Sequence, residues 1–215
     1  MKNSIKNIFL ACGIALTLAV FPVFAQEKVE INKMPFNDLA RIVKQKTDEG
    51  KVDLTKSFSI EIEGALDKSG GLDPKQTKLK KSTGDAAMIE IGKKFITAVS
   101  DSGLFVYLKD LGVEKIKFTL AQDDSELNAA IVPELGTPER AKTLTSTLTM
   151  VVRLVPMLNN KEPKRFGDDE MILIRGVNVS SEAKTVTINF AYEKSVIQEL
   201  INRKLKEAEI KQLSE

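Results

Sequence analysis

Histidine and tryptophan are absent from this 215-residue sequence, and its one cysteine is Cys12. Without imidazole, neither a Ser-His-Asp nor a Cys-His catalytic arrangement can be assembled. Zinc sites built on Cys or His are excluded for the same reason. Cys12 lies in an N-terminal apolar run, so a chain that loses that run has no thiol and forms no disulfide. Prolines number only 7 and are scattered, and Tyr occurs twice. What remains for chemistry is carboxylate, lysine, hydroxyl and tyrosine.

Lys2 and Lys6 precede an apolar stretch over 8–20, and Pro22 comes just before Val23-Phe24-Ala25. This is the pattern of a secretory signal peptide, residues 1–25, cut after Ala25 to give a periplasmic or secreted protein. The rival reading is an uncleaved anchor, since 8–25 is 18 residues and just spans a bilayer. Cys12 precedes most of the apolar run, where a lipobox cysteine would follow it. Cleavage leaves 190 residues, enough for one sizeable domain or two small ones. Removing Lys2 and Lys6 from the 32 basic residues leaves 30, against 30 acidic ones. A neutral mature chain has no general attraction to nucleic acid or anionic membrane, so membrane contact is expected only through an uncleaved leader. Apolar residues make up 42%, a globular rather than disordered composition.

Residues 26–35 form a polar leader. Phe36, Leu39, Ile42 and Val43 recur at helical spacing until Gly50. The stretch SFSIEIEGAL, 57–66, alternates as a half-buried strand. Asp67-Lys68-Ser69-Gly70-Gly71 supplies a hairpin turn, and 72–81 returns as a lysine-rich edge strand. In STGDAAMIEIGKKFITAVSDSG, residues 82–103, Met88, Ile91, Phe95 and Val99 make one apolar stripe. Gly92 within that stripe lets the helix approach a sheet closely, and Asp85 caps its start. A phosphate-binding loop is excluded there. Five residues before Gly92 stands Ala87, and Lys93 is followed by Lys94 instead of Ser or Thr.

A short apolar segment covers 105–111. Strands are expected over 113–121 and 127–132 around an acidic turn. Thr137-Pro138-Glu139 opens a helix that Pro156 should close, although its alternating threonines also suit a strand. A charged loop over 159–170 leads to strands over 171–180 and 184–192. A final helix from 193 carries Ile197, Ile201, Leu205 and Ala208 on one side. The resulting order, α-β-β-α-β-β-α-β-β-α, predicts an α+β protein: antiparallel sheet covered by helices, in repeated α-β-β-α units. The chain divides into a first region, 36–121, and a second, 122–215, forming either one sheet or two domains.

Few motifs carry chemistry. Asp123, Asp124 and Glu126, and likewise Asp168, Asp169 and Glu170, are acidic clusters that could serve a glycosidase or a hard cation. Solvated turn acids are the ordinary explanation for both, and no calcium-loop pattern is present. Ser181-Glu182-Ala183-Lys184 has S-x-x-K spacing, yet it lies in a hairpin turn and lacks the S-D-N and K-T-G companions. Lysines 75, 78, 80 and 81 form a basic strip without the interleaved aromatic rings that nucleic-acid strands need. No catalytic, cofactor-binding or metal-binding residue is assigned.

Ile60, Ile62, Asp67, Gly70 and Leu72, followed by Ser82, Gly84, Asp85, Met88, Glu90, Ile91 and Ile96, carry a family pattern. It resembles the C-terminal domain of TonB and TolA periplasmic proteins, where a V-x-I-x-x-D-G-x-L hairpin precedes S-G-D-P-x-L-D-x-A-x-x-x-A-I on a covering helix. The resemblance spans about 85 of the 215 residues, 36–120. It implies a TonB-like fold for the first half and a periplasmic compartment. Energy transduction does not carry over, because the transducers use a histidine in an uncleaved N-terminal helix and a long spacer. The family binds partners by strand addition. The expectation is therefore a non-enzymatic exported protein-interaction module, taking another envelope protein at an edge formed by Leu72, Lys75, Lys78, Lys80 and Lys81. The alternatives are a carboxylate-based hydrolase of an envelope polymer and a binder of an apolar ligand between sheet and helices.

Overall fold

The computed structural model describes residues 32, 34–103, 105–159, 168–200 and 202–203. Residues 1–31, which hold the expected signal peptide and part of the expected polar leader, lie outside them, as do Ile201, Leu205 and Ala208. The elements are α1 (Met34–Asp48), β1 (Phe58–Ala65), β2 (Lys78–Gly84), α2 (Ala86–Asp101), α3 (Val106–Asp110), β3 (Lys115–Gln122), β4 (Glu126–Pro133), α4 (Pro138–Asn159), α5 (Asp168–Arg175), β5 (Val177–Glu182) and β6 (Thr185–Glu193). A last helix follows over 194–200.

The six strands form one sheet, ordered β2-β1-β3-β4-β6-β5, and every neighbouring pair is antiparallel. The protein is α+β. Three sequential hairpins stand side by side, joined by helical crossovers. The two sequence regions share this sheet, since β3 pairs with β4 from Ile116↔Pro133 to Gln122↔Leu127.

Strand alternation sets the layers. Phe58, Ile60 and Ile62 on β1, Ile116, Phe118 and Leu120 on β3, and Val186, Ile188 and Phe190 on β6 are buried beneath the helices. The opposite side carries Thr119, Ala121, Asn128, Ala130, Thr187 and Asn189, which are half-buried. Helix α2 lies against β1 because position 92 has no side chain. A Cβ there would come within 2.5 Å of Ile60 Cδ1 and 2.8 Å of the Phe58 ring. Asp85 caps this helix, accepting the Met88 N–H at 2.9 Å.

Helix α4 settles the ambiguous threonine-rich segment. Ala141, Leu144, Leu148, Val151 and Val155 are buried at spacings of three and four, which only a helix aligns. Pro156 does not end it, contrary to the expectation. The helix runs on to Asn159 with Pro156 inside it. Proline forfeits one hydrogen bond in the last turn, and Val155 and Asn159 stay buried on either side of it.

The expected strand over 171–180 is also corrected, since its first half is helix α5 and β5 begins only at Val177. The run Met171-Ile172-Leu173-Ile174 is uniformly apolar, and such a run fits strand or helix alike. Met171 and Ile174 are buried three residues apart while Ile172 is exposed, so a helical turn is what the tertiary contacts select.

Candidate functional site

The expected edge divides in two. Leu72 is buried at 9% exposure, bridges to Leu66, and donates its backbone N–H to Ser100 Oγ at 2.8 Å. It belongs to the core and not to the edge. Lys75 sits in a turn where Asp73 accepts the Lys75 backbone N–H and the Gln76 side-chain amide. Only from Lys78 does the chain become a strand. Lys78, Lys80 and Lys81 lie on β2, all seven of whose residues are exposed.

The register of β2 on β1 shifts between Glu61 and Ile62, so Lys80 is an extra residue bulged out of the ladder. Glu63 stands opposite Lys78 and takes an ion pair from Lys80 Nζ at 3.0 Å. Glu61 stands opposite Lys81 and lies 4.0 Å from Lys117 Nζ.

Lysines from other strands meet β2 at one end of the sheet, where β1 and β4 finish and β3 and β6 begin. Lys115 and Lys117 arrive on β3, and Lys184 from the β5–β6 turn. Together with Lys75, Lys78 and Lys80 they line a recess of about 690 Å³. Its carboxylates are Glu63 and Glu134, the latter 3.8 Å from Lys115 Nζ. Gly64, Ile116, Val132 and Pro133 line it as well, and among the described residues no aromatic ring does. Lys115 and Lys117 fall within the strand expected over 113–121. That they would stand between β2 on one flank and the 182–185 turn on the other was not legible.

The opposite end of the sheet is acidic. Asp123 accepts the Ser125 N–H at 2.7 Å, the Ser125 hydroxyl at 2.8 Å and the Glu126 N–H at 2.8 Å. The Glu126 and Ser125 backbone donors, with that hydroxyl, hold its carboxyl below the ordinary value. Asp124 accepts from the Ser57 hydroxyl, and residues 123–126 are exposed. These acids close a solvent-exposed turn. Asp168 is exposed on the first turn of α5, and the side chains of Asp169 and Glu170 lie outside the described residues. Among the described residues no cluster of three or more carboxylates is placed to hold a metal ion.

One cation is buried at this acidic end. Lys194 is 8% exposed, and its ammonium donates to the Thr55 and Asp123 carbonyls, the latter at 2.9 Å. The Gln122 amide donates to the Leu54 and Lys56 carbonyls, both at 2.9 Å. The pair tether the 53–57 loop to the sheet and to the last helix. Lys194 is thereby a structural clamp.

No match is found to any protein-family model, curated protein or solved structure. Geometry and charge alone carry the functional reading.

The turn carboxylates give an expected pH response. Asp67 is lowered by the Ser69 hydroxyl and by the Gly71 and Ser69 backbone N–H groups, and Asp53 and Asp73 by their own turn donors. A lowered folded-state value means stability that is present above the ordinary 3.8 and is lost as pH falls through the folded value. Thermal midpoints should stay level from neutrality to about pH 5 and fall below about pH 4. A melting curve series that declines first above pH 6 would contradict this.

Proposed function

We propose that this chain is an exported, non-enzymatic binding module of the periplasm that takes an extended segment of another envelope protein at β2. One observation carries this reading: β2 is exposed along its whole length and, among the described residues, is paired only with β1. An edge strand offers unpaired backbone N–H and C=O groups on its outer side, and a partner strand satisfies them. The other edge, β5, is shorter and has α4 against it. Lys78, Lys80 and Lys81 favour an acidic partner segment, and the bulge at Lys80 keeps a second copy of β2 from pairing in register.

The leader pattern over 1–25 supports export, and the absence of imidazole, and of any thiol beyond Cys12 in that leader, supports a role without Ser-His or Cys-His catalysis. The order α1-β1-β2-α2-β3 over 34–122 supports the TonB/TolA-like reading of the first half. Affinity capture from an envelope extract tests the proposal, using the native chain beside the Lys78→Glu, Lys80→Glu, Lys81→Glu variant. A partner retained by the first and lost by the second is the expected outcome. Recovery of no partner, or of the same partners by both, defeats it.

A further inference from the structure

We propose that the lysine-lined recess at the end of the sheet is a binding site for a ligand bearing clustered phosphate groups. Six lysines converge there, at positions 75, 78, 80, 115, 117 and 184, against two lining carboxylates. The carboxylates are taken. Glu63 pairs with Lys80 at 3.0 Å, and Glu134 approaches Lys115 at 3.8 Å. Glu61 lies just outside the lining, 4.0 Å from Lys117. Asp73, near Lys75, has its carboxylate engaged by its own turn. Lys78 and Lys184 have no carboxylate within ion-pair distance among the described residues.

This excess is local. The mature sequence is electrically neutral, yet its charges are sorted along the strands. Asp53, Asp123, Asp124, Glu126 and Glu193 gather at the far end with Lys56 and Lys194, and the six lysines gather here, where Glu114, paired with Lys109, and Glu182 also lie. Like charges held together repel, and a fold retains that repulsion without loss when a multivalent anion neutralises it. The recess volume falls in the range of small-ligand sites, on the order of 300–1,000 Å³. Ammonium groups bind phosphate as point charges and demand no planar fork, which suits a ring of lysines on several strands. The described residues put no aromatic ring in the lining for nucleobases to stack on, so the phosphates and not a nucleic acid are what the site recognises.

The inference is independent of strand addition at β2, because Lys184 belongs to the far flank of the recess. Titration calorimetry of the whole protein with inorganic tripolyphosphate tests it. Saturable binding at one site per chain is expected, weakening as salt rises. Lys78→Glu and Lys184→Glu should each bind about tenfold more weakly or worse, with thermal midpoints unchanged. Lys94→Glu and Lys142→Glu, exposed on α2 and α4, should bind like the native chain.

A parallel arm uses vesicles containing phosphatidylglycerol. Binding there that is lost in Lys184→Glu, with or without tripolyphosphate binding, assigns lipid headgroups as a source of the phosphates. Binding of tripolyphosphate alone assigns a soluble ligand. No binding to either probe, or binding that Lys94→Glu weakens as much as Lys184→Glu, overturns the proposal. So does a salt-sensitive dimer that Lys184→Glu dissociates while phosphate fails to bind, since the acidic end of a second copy would then be the occupant. Unchanged partner capture by Lys184→Glu separates this result from failure of the β2 reading.

Discussion

Phe118→Ala is expected to lower the unfolding free energy by about 3–5 kcal/mol. Phe118 has no exposed surface and sits in the middle of β3, a strand flanked on both sides. Ile62 of β1 and Ile131 of β4 are its partners in register. Its ring meets Phe105 edge-to-face, with centroids 6.4 Å apart and planes at 66°. Truncation removes the apolar burial and the aromatic pair together, and leaves a cavity between sheet and helices that the hydrogen-bonded strands cannot collapse to fill. The check is urea denaturation, where the midpoint should fall with an unchanged slope. A loss below about 1 kcal/mol would mean that the centre of the core relaxes far more than a hydrogen-bonded antiparallel sheet permits.

Gly70→Ala should cost about 2–4 kcal/mol, because two penalties coincide. Gly70 lies at φ +74°, in the left-handed region, and a Cβ there would stand 2.0 Å from the Val106 backbone nitrogen and 2.2 Å from its Cα. The obstacle is the first residue of α3, which cannot turn aside as a side-chain tip would. Nor can the loop retreat. Asp67 grips it by accepting from the Ser69 N–H at 2.8 Å and the Gly71 N–H at 2.9 Å. The comparison is Gly50→Ala, at φ +65° with nothing within 4 Å, which carries the conformational penalty alone. Thermal melting of both variants should show a drop for Gly70→Ala of roughly 10 °C, several times that for Gly50→Ala. Equal drops would remove the steric half of the argument.

These positions also show what a single sequence reveals. The alternation in 57–66 and 113–121 and the stripe through Met88, Ile91, Phe95 and Val99 were legible, because burial on one face imposes a period on one element. The close approach at Gly92 was legible too, as a gap within that stripe. By contrast, Met171-Ile172-Leu173-Ile174 has no period, and only packing decides between strand and helix. Leu72 read as part of an edge because the lysines beyond it are one strand, whereas a turn at Asp73 intervenes and sends Leu72 inward. The recess was not legible at all. It needs β6 beside β4 and β3 beside β1, and strand order is a property of pairing between distant segments that no local pattern records. Lys184 looked like a turn residue and Lys115 like a strand face, and nothing in the chain says that they are neighbours.

Lys194 ties together segments that are far apart in order of synthesis. Its ammonium reaches back 139 positions to the Thr55 carbonyl and 71 to that of Asp123. A nascent polypeptide shorter than 194 residues therefore lacks this tie and holds the entrance to the first hairpin through Gln122, which donates to the Leu54 and Lys56 carbonyls. The early segments can form their elements, but this particular clamp closes only once residue 194 has joined them.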